Sequence, residues 1–400
     1  MKRLFLVLLS VILLASCAPA EEPTSQPLPQ SYPPVTVNDI YCYGDSELGI
    51  FNYGALEKSS GIDISLKDYD TGESVLKILA GDKDVDIYLL TAANIKQLMD
   101  MGAYSEIDSD IVSLHNSKCF SYLRDFSAVD GKTVVMPVAN SFSAVIAPKS
   151  AIAELGLTEA DIAYYDGFMD VLRGYSGARK SYSTSAMLFL ECEQQYDIFY
   201  NDFENKRADY STDLYKKLYQ EQLEGWVRYS QEPDSPYFLA HGKNKHSSSD
   251  TLFCIDEFSE YAESCRDFFT EWRAFPIPKL TDEVTHSVSS AMFVYINPLS
   301  ENKEAATKVL ESIAENYYSV LSRFSGKYQM IHADAEMYPD EYHPDSEVFN
   351  DFLNIGSNCI LQQYQMLTSH SDIEAYQQEG VSLDDAIAMY QREVDMWLNE

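Results

Sequence analysis

The segment Gly81-Asp-Lys-Asp-Val-Asp-Ile-Tyr-Leu-Leu-Thr91 decides the fold. Its glycine ends a helical stretch over residues 74–80, and the apolar run that follows is typical of a short buried strand. The threonine then opens a helix that ends near Gly102. A helix, a buried strand and a second helix in close succession predict a βαβ unit, and therefore a mainly parallel sheet.

The same alternation continues on both sides of this segment. Upstream, a helical stretch that ends at Ser59-Ser60-Gly61 lies between two predicted strands. Downstream, the turn Asp130-Gly131-Lys132 leads into two more. These four strands cover residues 35–43, 62–69, 133–137 and 142–147. The chain is therefore predicted to be an α/β protein.

Helices dominate the remaining sequence. Apolar residues at helical spacing predict mostly helix between residues 164 and 230. A strand over 291–296 precedes a helix that begins near Lys303. The last helix opens at Ser382, which forms a capping box with Asp385. Its predicted core stripe consists of Leu383, Ile387, Tyr390, Val394 and Trp397.

The first residues form a targeting signal. Two basic residues precede an apolar run over residues 4–15, which is shorter than the roughly 20 residues that a membrane-spanning helix needs. Leu14-Ala-Ser-Cys17 follows, with small residues before a cysteine, as in a lipobox. We therefore predict a lipoprotein signal peptide over residues 1–16 and a lipid on Cys17. An ordinary secretory signal with a chance cysteine is the alternative.

Residues 17–34 are predicted to be a tether. Six of the seventeen residues from Ala18 to Pro34 are proline, and most of the others are small or polar. Such a segment cannot bury a core and stays extended. The remaining stretch of about 365 residues exceeds what one core usually supports, so we expect two lobes.

The charge of the chain is strongly negative. There are 29 lysine and arginine residues against 63 aspartate and glutamate residues, a formal net charge of −34. This balance excludes nucleic acid as a partner and disfavours adhesion to anionic lipid head groups, because both attract basic surfaces. Solubility at a cell surface explains the acidity best, and a cation ligand is the alternative.

The chain lacks the usual sequence signatures of catalysis. It has no G-x-S-x-G, H-E-x-x-H, Walker A or G-x-G-x-x-G pattern. The acidic run Asp82–Asp86 resembles the start of a calcium loop, but Ile87 and Ala93 stand where that loop needs glycine and glutamate. We therefore predict that the protein is not an enzyme and has no cofactor and no catalytic residue.

Neither metal sites nor disulfides are indicated. The seven histidines are scattered, and only His241 and His246 are near neighbours. A zinc site needs three or four fixed ligands, so we predict no metal site. Besides Cys17 there are six cysteines at irregular spacing, and the sequence leaves their pairing open. They are Cys42, Cys119, Cys192, Cys254, Cys265 and Cys359.

Several motifs together resemble a known family. Gly81–Ile87 is similar to a Gly-Asp-x-x-Asp-Ile strand entry, and residues 40–45 with 56–62 are similar to an opening strand and first helix. Their order resembles that of the extracellular solute-binding proteins of ABC importers (family 1, the maltose-binding type). The further motifs are Gly102–Ile107, Gly131–Lys149, Pro276–Pro278, Ser300–Ala306 and Gly380–Leu398.

The resemblance implies a two-lobed periplasmic-binding-protein-like fold of type II. Crossing hinge strands join lobe 1, residues 35–138 plus 275–320, to lobe 2, residues 139–274 plus 321–400. The implied function is capture of an extracellular solute, foremost a carbohydrate, and its delivery to the permease subunits of an ABC transporter. We expect a monomer that its lipid holds on the outer face of the cell membrane.

The resemblance also points to a binding site. In open α/β sheets, ligands bind at the carboxyl ends of the strands. The predicted ligand-binding residues are Asp45, Thr91, Asn94, Asn140, Ser141 and Trp272, whose ring is suited to stacking on a sugar. Leu90–Asn94 lacks the tryptophan and the acidic residue that maltose-type members have there. The resemblance therefore does not extend to maltodextrin as the ligand.

Two other functions stay open from the sequence. A surface-anchored hydrolase acting on glycans or peptides requires an activated nucleophile or a carboxylate pair in a cleft. A purely structural surface lipoprotein requires no ligand cleft at all.

Overall fold

The computed structural model describes residues 32–39, 49–182, 184–221, 249–258, 271–322, 329–364 and 380–399. The strands are β1 (Val35–Asn38), β2 (Ile64–Lys67), β3 (Ile87–Thr91), β4 (Ala128–Val129), β5 (Lys132–Thr133), β6 (Val135–Ser141), β7 (Ser143–Pro148), β8 (Lys180–Tyr182), β9 (Thr251–Glu257), β10 (Trp272–Pro276), β11 (Ser287–Ile296) and β12 (Cys359–Leu361). The helices are α1 (Tyr53–Ser60), α2 (Thr71–Leu79), α3 (Ala92–Asp100), α4 (Asp110–Ser117), α5 (Ser121–Phe126), α6 (Lys149–Leu155), α7 (Tyr165–Gly174), α8 (Thr184–Tyr200), α9 (Lys303–Val320), α10 (Glu347–Ser357) and α11 (Leu383–Asn399). Residues 213–221 are also helical.

The first sheet has the strand order β12-β11-β3-β1-β2, and β6 also pairs with β11. Strands β1, β2 and β3 are parallel, as the alternation of strands and helices predicts. Strand β11 runs antiparallel to both β3 and β6, so β6 points in the same direction as the parallel strands. Helix α9 packs on α1, α4 and β11 of this sheet.

The second sheet has the strand order β10-β7-β9-β8. Strand β7 is antiparallel to β9 and β10, while β8 is parallel to β9. Side chains from β7, β9, α7, α8 and α11 share one hydrophobic core. Strand β8 lies inside the region that the sequence predicts as mostly helical. Three residues are too short for an alternating pattern, and pairing with β9 makes them a strand.

The chain passes directly from the first sheet into the second. Strand β6 ends at Ser141 and β7 begins at Ser143, so only Phe142 lies between them. Phe142 is buried, and its ring lies 6.4 Å from that of Phe120 and 6.3 Å from that of Phe352. A buried aromatic residue therefore packs this crossing between α10 and the residue that precedes α5.

The return to the first sheet occurs at β11. Strand β10 pairs with β7, and the backbone N–H of Tyr165 donates to the carbonyl of Lys279 at 2.9 Å. The predicted return at residue 275 therefore falls within a strand of the second sheet, and the first sheet resumes at Ser287. The lobe boundaries as a whole stay a prediction.

The helix ends follow local sequence signals. Gly61 ends α1 in the left-handed conformation, with a φ of 70°, which favours glycine. Asp70 and Thr91 accept backbone N–H groups at the starts of α2 and α3. Ser382 Oγ accepts from the backbone N–H of Asp385 at 3.2 Å, so the predicted cap of the last helix is present.

One predicted core residue of α11 is exposed. The buried residues of this helix include Ile387, Tyr390 and Val394, as predicted, but the series ends with Leu398. Trp397 is 40% exposed and lies edge-on to Phe203 with a ring distance of 6.2 Å. The prediction for Trp397 was wrong because the helix continues from Val394 with a step of four residues rather than three.

Helix α8 buries three carboxyl groups in the second sheet's core: Glu191, Glu193 and Asp197. Tyr215 donates to Glu193 Oε1 at 2.9 Å, and Tyr210 donates to Asp197 Oδ1 at 2.6 Å. Burial raises the pKa of Glu191 to about 7, that of Glu193 to about 8 and that of Asp197 to about 7. Near neutral pH these three groups are therefore partly protonated, whereas ordinary carboxyl groups are ionised.

We expect the free energy of unfolding to fall as the pH rises from about 5 to 8. The folded protein binds more protons in this range than the unfolded chain, because these three pKa values are raised on folding. Each such proton changes the stability by at most about 1.4 kcal/mol per pH unit. Urea denaturation at several pH values measures the slope. Glu193→Gln should reduce the slope, and an equal slope in this variant would contradict the prediction; Glu204→Gln, at an exposed position, is the matched control.

No helix in the described part of the chain combines the length and the apolar character that crossing a bilayer requires. Cys119, Cys192 and Cys359 are buried and carry free thiols. Cys42 and Cys265 lie outside the described residues, so their pairing stays open.

Candidate functional site

Three strands of the first sheet bring polar residues to one edge. Thr91 ends β3 and pairs with Met292 of β11, while Ser141 ends β6 and pairs with Ser290. Strands β3 and β6 flank β11, and the residues that pair with Thr91 and Ser141 are two positions apart on β11. Thr91 and Ser141 therefore lie roughly 12 Å apart. We call the polar edge formed by Thr91, Asn140, Ser141 and Ser290 the crossing edge.

Thr91 and Asn94 form one local motif at the start of α3. The Thr91 hydroxyl donates to Asn94 Oδ1 at 2.6 Å and accepts from the backbone N–H of Asn94 at 3.4 Å. Both residues are half-buried. The cap therefore holds two polar side chains at the carboxyl end of β3, where both stay partly accessible.

Asn140 connects several elements of the protein. Its Oδ1 accepts from Tyr122 OH at 3.1 Å and from Ser289 Oγ at 2.5 Å. Its Nδ2 donates to the carbonyl of Met330 at 2.8 Å. The residue is 7% exposed, so its amide serves the protein's own hydrogen bonds. This differs from the predicted direct ligand contact: Asn140 holds Ser141 in place.

Ser141 and Ser290 are the accessible pair of the crossing edge. Ser141 is half-buried and Ser290 is exposed, and the two residues face each other across β6 and β11. Ser290 is absent from the predicted site because the sequence places the start of this strand at residue 291. The strand begins at Ser287; its first three residues pair with β12, and Ser290 is the first to pair with β6.

The second sheet adds acidic side chains next to this edge. Ser143 begins β7, pairs with Glu257 of β9 and donates to Glu191 Oε1 at 2.6 Å. Burial raises the pKa of Glu191, and the nearby charge of Glu257 adds to the rise. Glu191 in turn raises the pKa of the Cys359 thiol on β12, after the larger effect of burial. Glu191 therefore lies where the two sheets meet, a position that no sequence pattern indicates.

Comparison with known proteins then assigns the family. Residues 53–250 match the family described as bacterial extracellular solute-binding protein. The chain belongs to this family. As a solute-binding protein it acts outside the cytoplasm, and the family gives no support to the hydrolase that the sequence left open. A search of curated protein sequences found no significant match.

Solved structures share the fold of this solute-binding protein at low sequence identity. The sugar-binding protein MalE from Xanthomonas citri aligns with a TM-score of 0.62 at 14% identity, over 91% of this chain and 97% of its own. UgpB from Mycobacterium tuberculosis, solved in complex with glycerophosphocholine, aligns with a TM-score of 0.61 at 15% identity, over 92% and 98%. The cyclic alpha-maltosyl-1,6-maltose binding protein from Arthrobacter globiformis aligns with a TM-score of 0.58 at 16% identity, over 92% and 99%. The fold is thus the predicted two-lobed α/β fold.

Trp272 does not belong to the accessible part of the solute-binding protein's site. It begins β10, pairs with Pro148 of β7 and is 0% exposed. A ring inside the core offers no face to a sugar, so the predicted stacking role was wrong. Asp45 and Cys17 lie outside the described residues, as do His241 and His246.

The accessible chemistry at the crossing edge is hydrogen bonding. Serine and threonine hydroxyls donate and accept, and an asparagine amide does both, so the edge suits a neutral polar solute. Ser143 donates to Glu191 and Ser289 donates to Asn140, whereas a serine nucleophile is usually activated by donating to a histidine. The arrangement fits binding by the solute-binding protein.

Proposed function

We propose that this solute-binding protein captures a carbohydrate outside the cell and delivers it to the permease subunits of an ABC transporter, without catalysing a reaction. The observation that carries the proposal is the crossing edge. There the hydroxyl groups of Ser141 on β6 and Ser290 on β11 lie next to the point where the chain continues from β6 into β7 of the second sheet. A sugar offers many hydroxyl groups to such donors and acceptors. The MalE and cyclic maltosyl-maltose binding proteins, which share the fold, are sugar-binding by name.

The proposed ligand contacts come from both sheets. Thr91, Ser141 and Ser290 belong to the first sheet, Asn94 to the helix α3 that follows β3, and Glu257 to the second sheet. Asp45 belongs to the proposed site as well, at the end of the predicted first strand. Each hydrogen bond to an uncharged ligand group contributes about 0.5–1.5 kcal/mol, so affinity has to come from several contacts together.

The proposed mechanism is closure around the ligand. The two sheets are joined at Phe142 without an intervening loop, and a few changes in φ and ψ there reorient one sheet relative to the other. A ligand shifts this equilibrium only if it contacts both sides, because otherwise it binds the open and closed forms equally well. X-ray scattering on the saturated protein should therefore give a smaller radius of gyration than on the free protein, and an unchanged radius would contradict closure.

The experiment that tests the function is ligand identification. Small molecules released by denaturing the purified protein are identified by mass spectrometry, and calorimetry then measures binding of a panel of sugars, oligosaccharides and glycerophosphocholine. We expect one sugar to bind at one molecule per chain and to be recovered unchanged after incubation. Cleavage of a glycan would contradict a binding role, and binding of glycerophosphocholine alone would contradict the carbohydrate class.

We also propose that a lipid on Cys17 anchors the mature protein to the outer face of the cell membrane, as its lipobox indicates. In Cys17→Ala we expect loss of the mature lipidated form and its replacement by uncleaved or released protein, because the thiol that carries the lipid is gone. Detergent phase partitioning and intact-mass measurement check this. Cys192→Ser, which changes a buried cysteine far along the chain, should partition like the wild type. A mature-length Cys17→Ala protein that still enters the detergent phase would place the anchor elsewhere.

A further inference from the structure

The fold brings two histidines and a cysteine together beside helix α4, which packs next to the first sheet. We call His115, Cys119 and His332 the His–Cys cluster. One potential ligand atom from each lies within 4.8 Å of the others. All three side chains are buried, with exposures of 5%, 2% and 1%. The sequence predicts no metal site, because His332 lies more than 200 positions after His115 and Cys119 and only the fold brings the three together.

Backbone geometry fixes this arrangement. Cys119 and His332 face each other in an antiparallel bridge. The flanking hydrogen bonds run from Phe120 N to the Ile331 carbonyl at 2.9 Å and from Ala333 N to the Lys118 carbonyl at 3.0 Å. In such a non-hydrogen-bonded pair the two side chains are especially close. His115 lies four residues before Cys119, in the last turn of α4, and the Cys119 thiol donates to the His115 carbonyl at 3.6 Å.

Among the described residues, each histidine of the cluster has one ring nitrogen without a hydrogen-bond partner. His115 Nε2 and His332 Nε2 are buried and have no hydrogen-bond partner in the described part of the chain. His332 Nδ1 lies 2.7 Å from Tyr318 OH. If Nδ1 carries the proton and donates to Tyr318, the lone pair on Nε2 is available, which is how metal-binding histidines are usually oriented.

An ion has a route to the cluster from solvent. A surface groove of about 530 Å³ is lined by both histidines, by Tyr318 of α9 and by Met337. The groove lies against α4 and the end of α9. The thioether of Met337 adds a soft group to its wall. A buried set of ligands with an entry path is what a binding site, as opposed to a sealed core, requires.

We propose that the His–Cys cluster binds one copper(I) ion through the Cys119 thiolate and the two histidine imidazoles. Three ligands with a soft sulfur suit copper(I), whereas structural zinc sites usually have four protein ligands. Charge supports the same choice: one thiolate and one monovalent ion leave the buried site neutral, while a divalent ion leaves a net positive charge.

Binding breaks the S–H bond of Cys119, forms a sulfur–copper bond and releases one proton to solvent, with no change in oxidation state. The bound ion joins α4 to the segment around His332. That segment follows α9 and supplies the Met330 carbonyl that holds Asn140. The site is separate from the crossing edge, so its existence does not depend on the ligand proposed there.

The test is an anaerobic titration of the reduced full chain with copper(I) in competition with a chromophoric copper(I) chelator. We expect Cys119→Ser and His332→Gln each to retain one fewer equivalent of copper(I) against the chelator than the wild type does. Cys192 is a buried free cysteine on α8, and the control variant Cys192→Ser should bind copper(I) as the wild type does. One equivalent of copper(I) should also raise the thermal unfolding midpoint of the wild type and of Cys192→Ser only.

X-ray absorption at the copper edge gives a second readout that needs no variant. The proposal predicts one sulfur and two imidazole nitrogens around the copper held most tightly by the wild type. Copper bound by sulfur alone would overturn it, as would an unchanged copper stoichiometry in folded Cys119→Ser. Tighter binding of zinc than of copper(I) at the same cluster would overturn the assignment of a monovalent ion.

Discussion

Asp86→Ala should destabilise the protein by about 3 kcal/mol, since it leaves buried donors without their acceptor. Asp86 is 3% exposed. Its Oδ2 accepts from the backbone N–H of Thr36 on β1 at 2.8 Å, and its Oδ1 accepts from Ser300 Oγ at 2.5 Å. The carboxylate thus links β1, the start of β3 and the loop after β11. Chemical denaturation measures the loss.

The matched control is Asp84→Ala, in the same acidic run. Asp84 is exposed, so its removal should change the free energy of unfolding by less than about 0.5 kcal/mol. Equal losses in the two variants would show that net charge, rather than the buried hydrogen bonds of Asp86, sets the stability of this segment. If Asp86→Ala does not fold, Asp86→Asn still reports the role, because its amide retains one acceptor and should lose less.

Ser290→Trp should reduce the affinity for the identified ligand at least tenfold, a loss of about 1.4 kcal/mol or more. Ser290 is exposed at the crossing edge and faces Ser141. An indole there occupies the space in which the proposed ligand reaches both sheets. Calorimetry with the ligand measures the affinity, and near-UV circular dichroism confirms that the variant is folded.

Leu299→Trp is the control for this blocking variant. Leu299 is 45% exposed and follows the opposite end of β11. The same bulky side chain there lies away from the crossing edge and should leave the affinity unchanged. Full affinity in Ser290→Trp would remove the crossing edge from the binding site, whereas equal losses in both variants would point to a general effect of surface tryptophan.

The fold was largely predictable because its signals are local. The segment from Gly81 to Thr91 contains a helix stop, a buried apolar run and a hydroxyl cap, and each acts through residues within a few positions. Asp86 lies in the same segment, and its carboxylate accepts the backbone N–H of Thr36 on the neighbouring strand β1. The start of β11 was less predictable, because its first residues are polar and pair with β12 and β6, which are distant in the sequence.

The site was predictable only in part, because it depends on side-chain surroundings. Thr91 and Ser141 end strands, and that position alone places them at the crossing edge. Trp272 and Asn140 also sit near strand ends, but neighbouring elements bury one and bond the other. Sequence position gives no information about such neighbours. The His–Cys cluster has the same origin: an antiparallel bridge joins positions that are far apart in the chain.

Hydrogen exchange with and without the identified ligand tests the central claim most directly. The account predicts slower exchange in peptides covering residues 91–95 and 287–291 of the first sheet, and also in residues 143–145 and 255–258 of the second. Protection on both sides is required, because a ligand that closes the protein has to contact both sheets. Protection confined to one sheet, or located away from the crossing edge, would contradict the account.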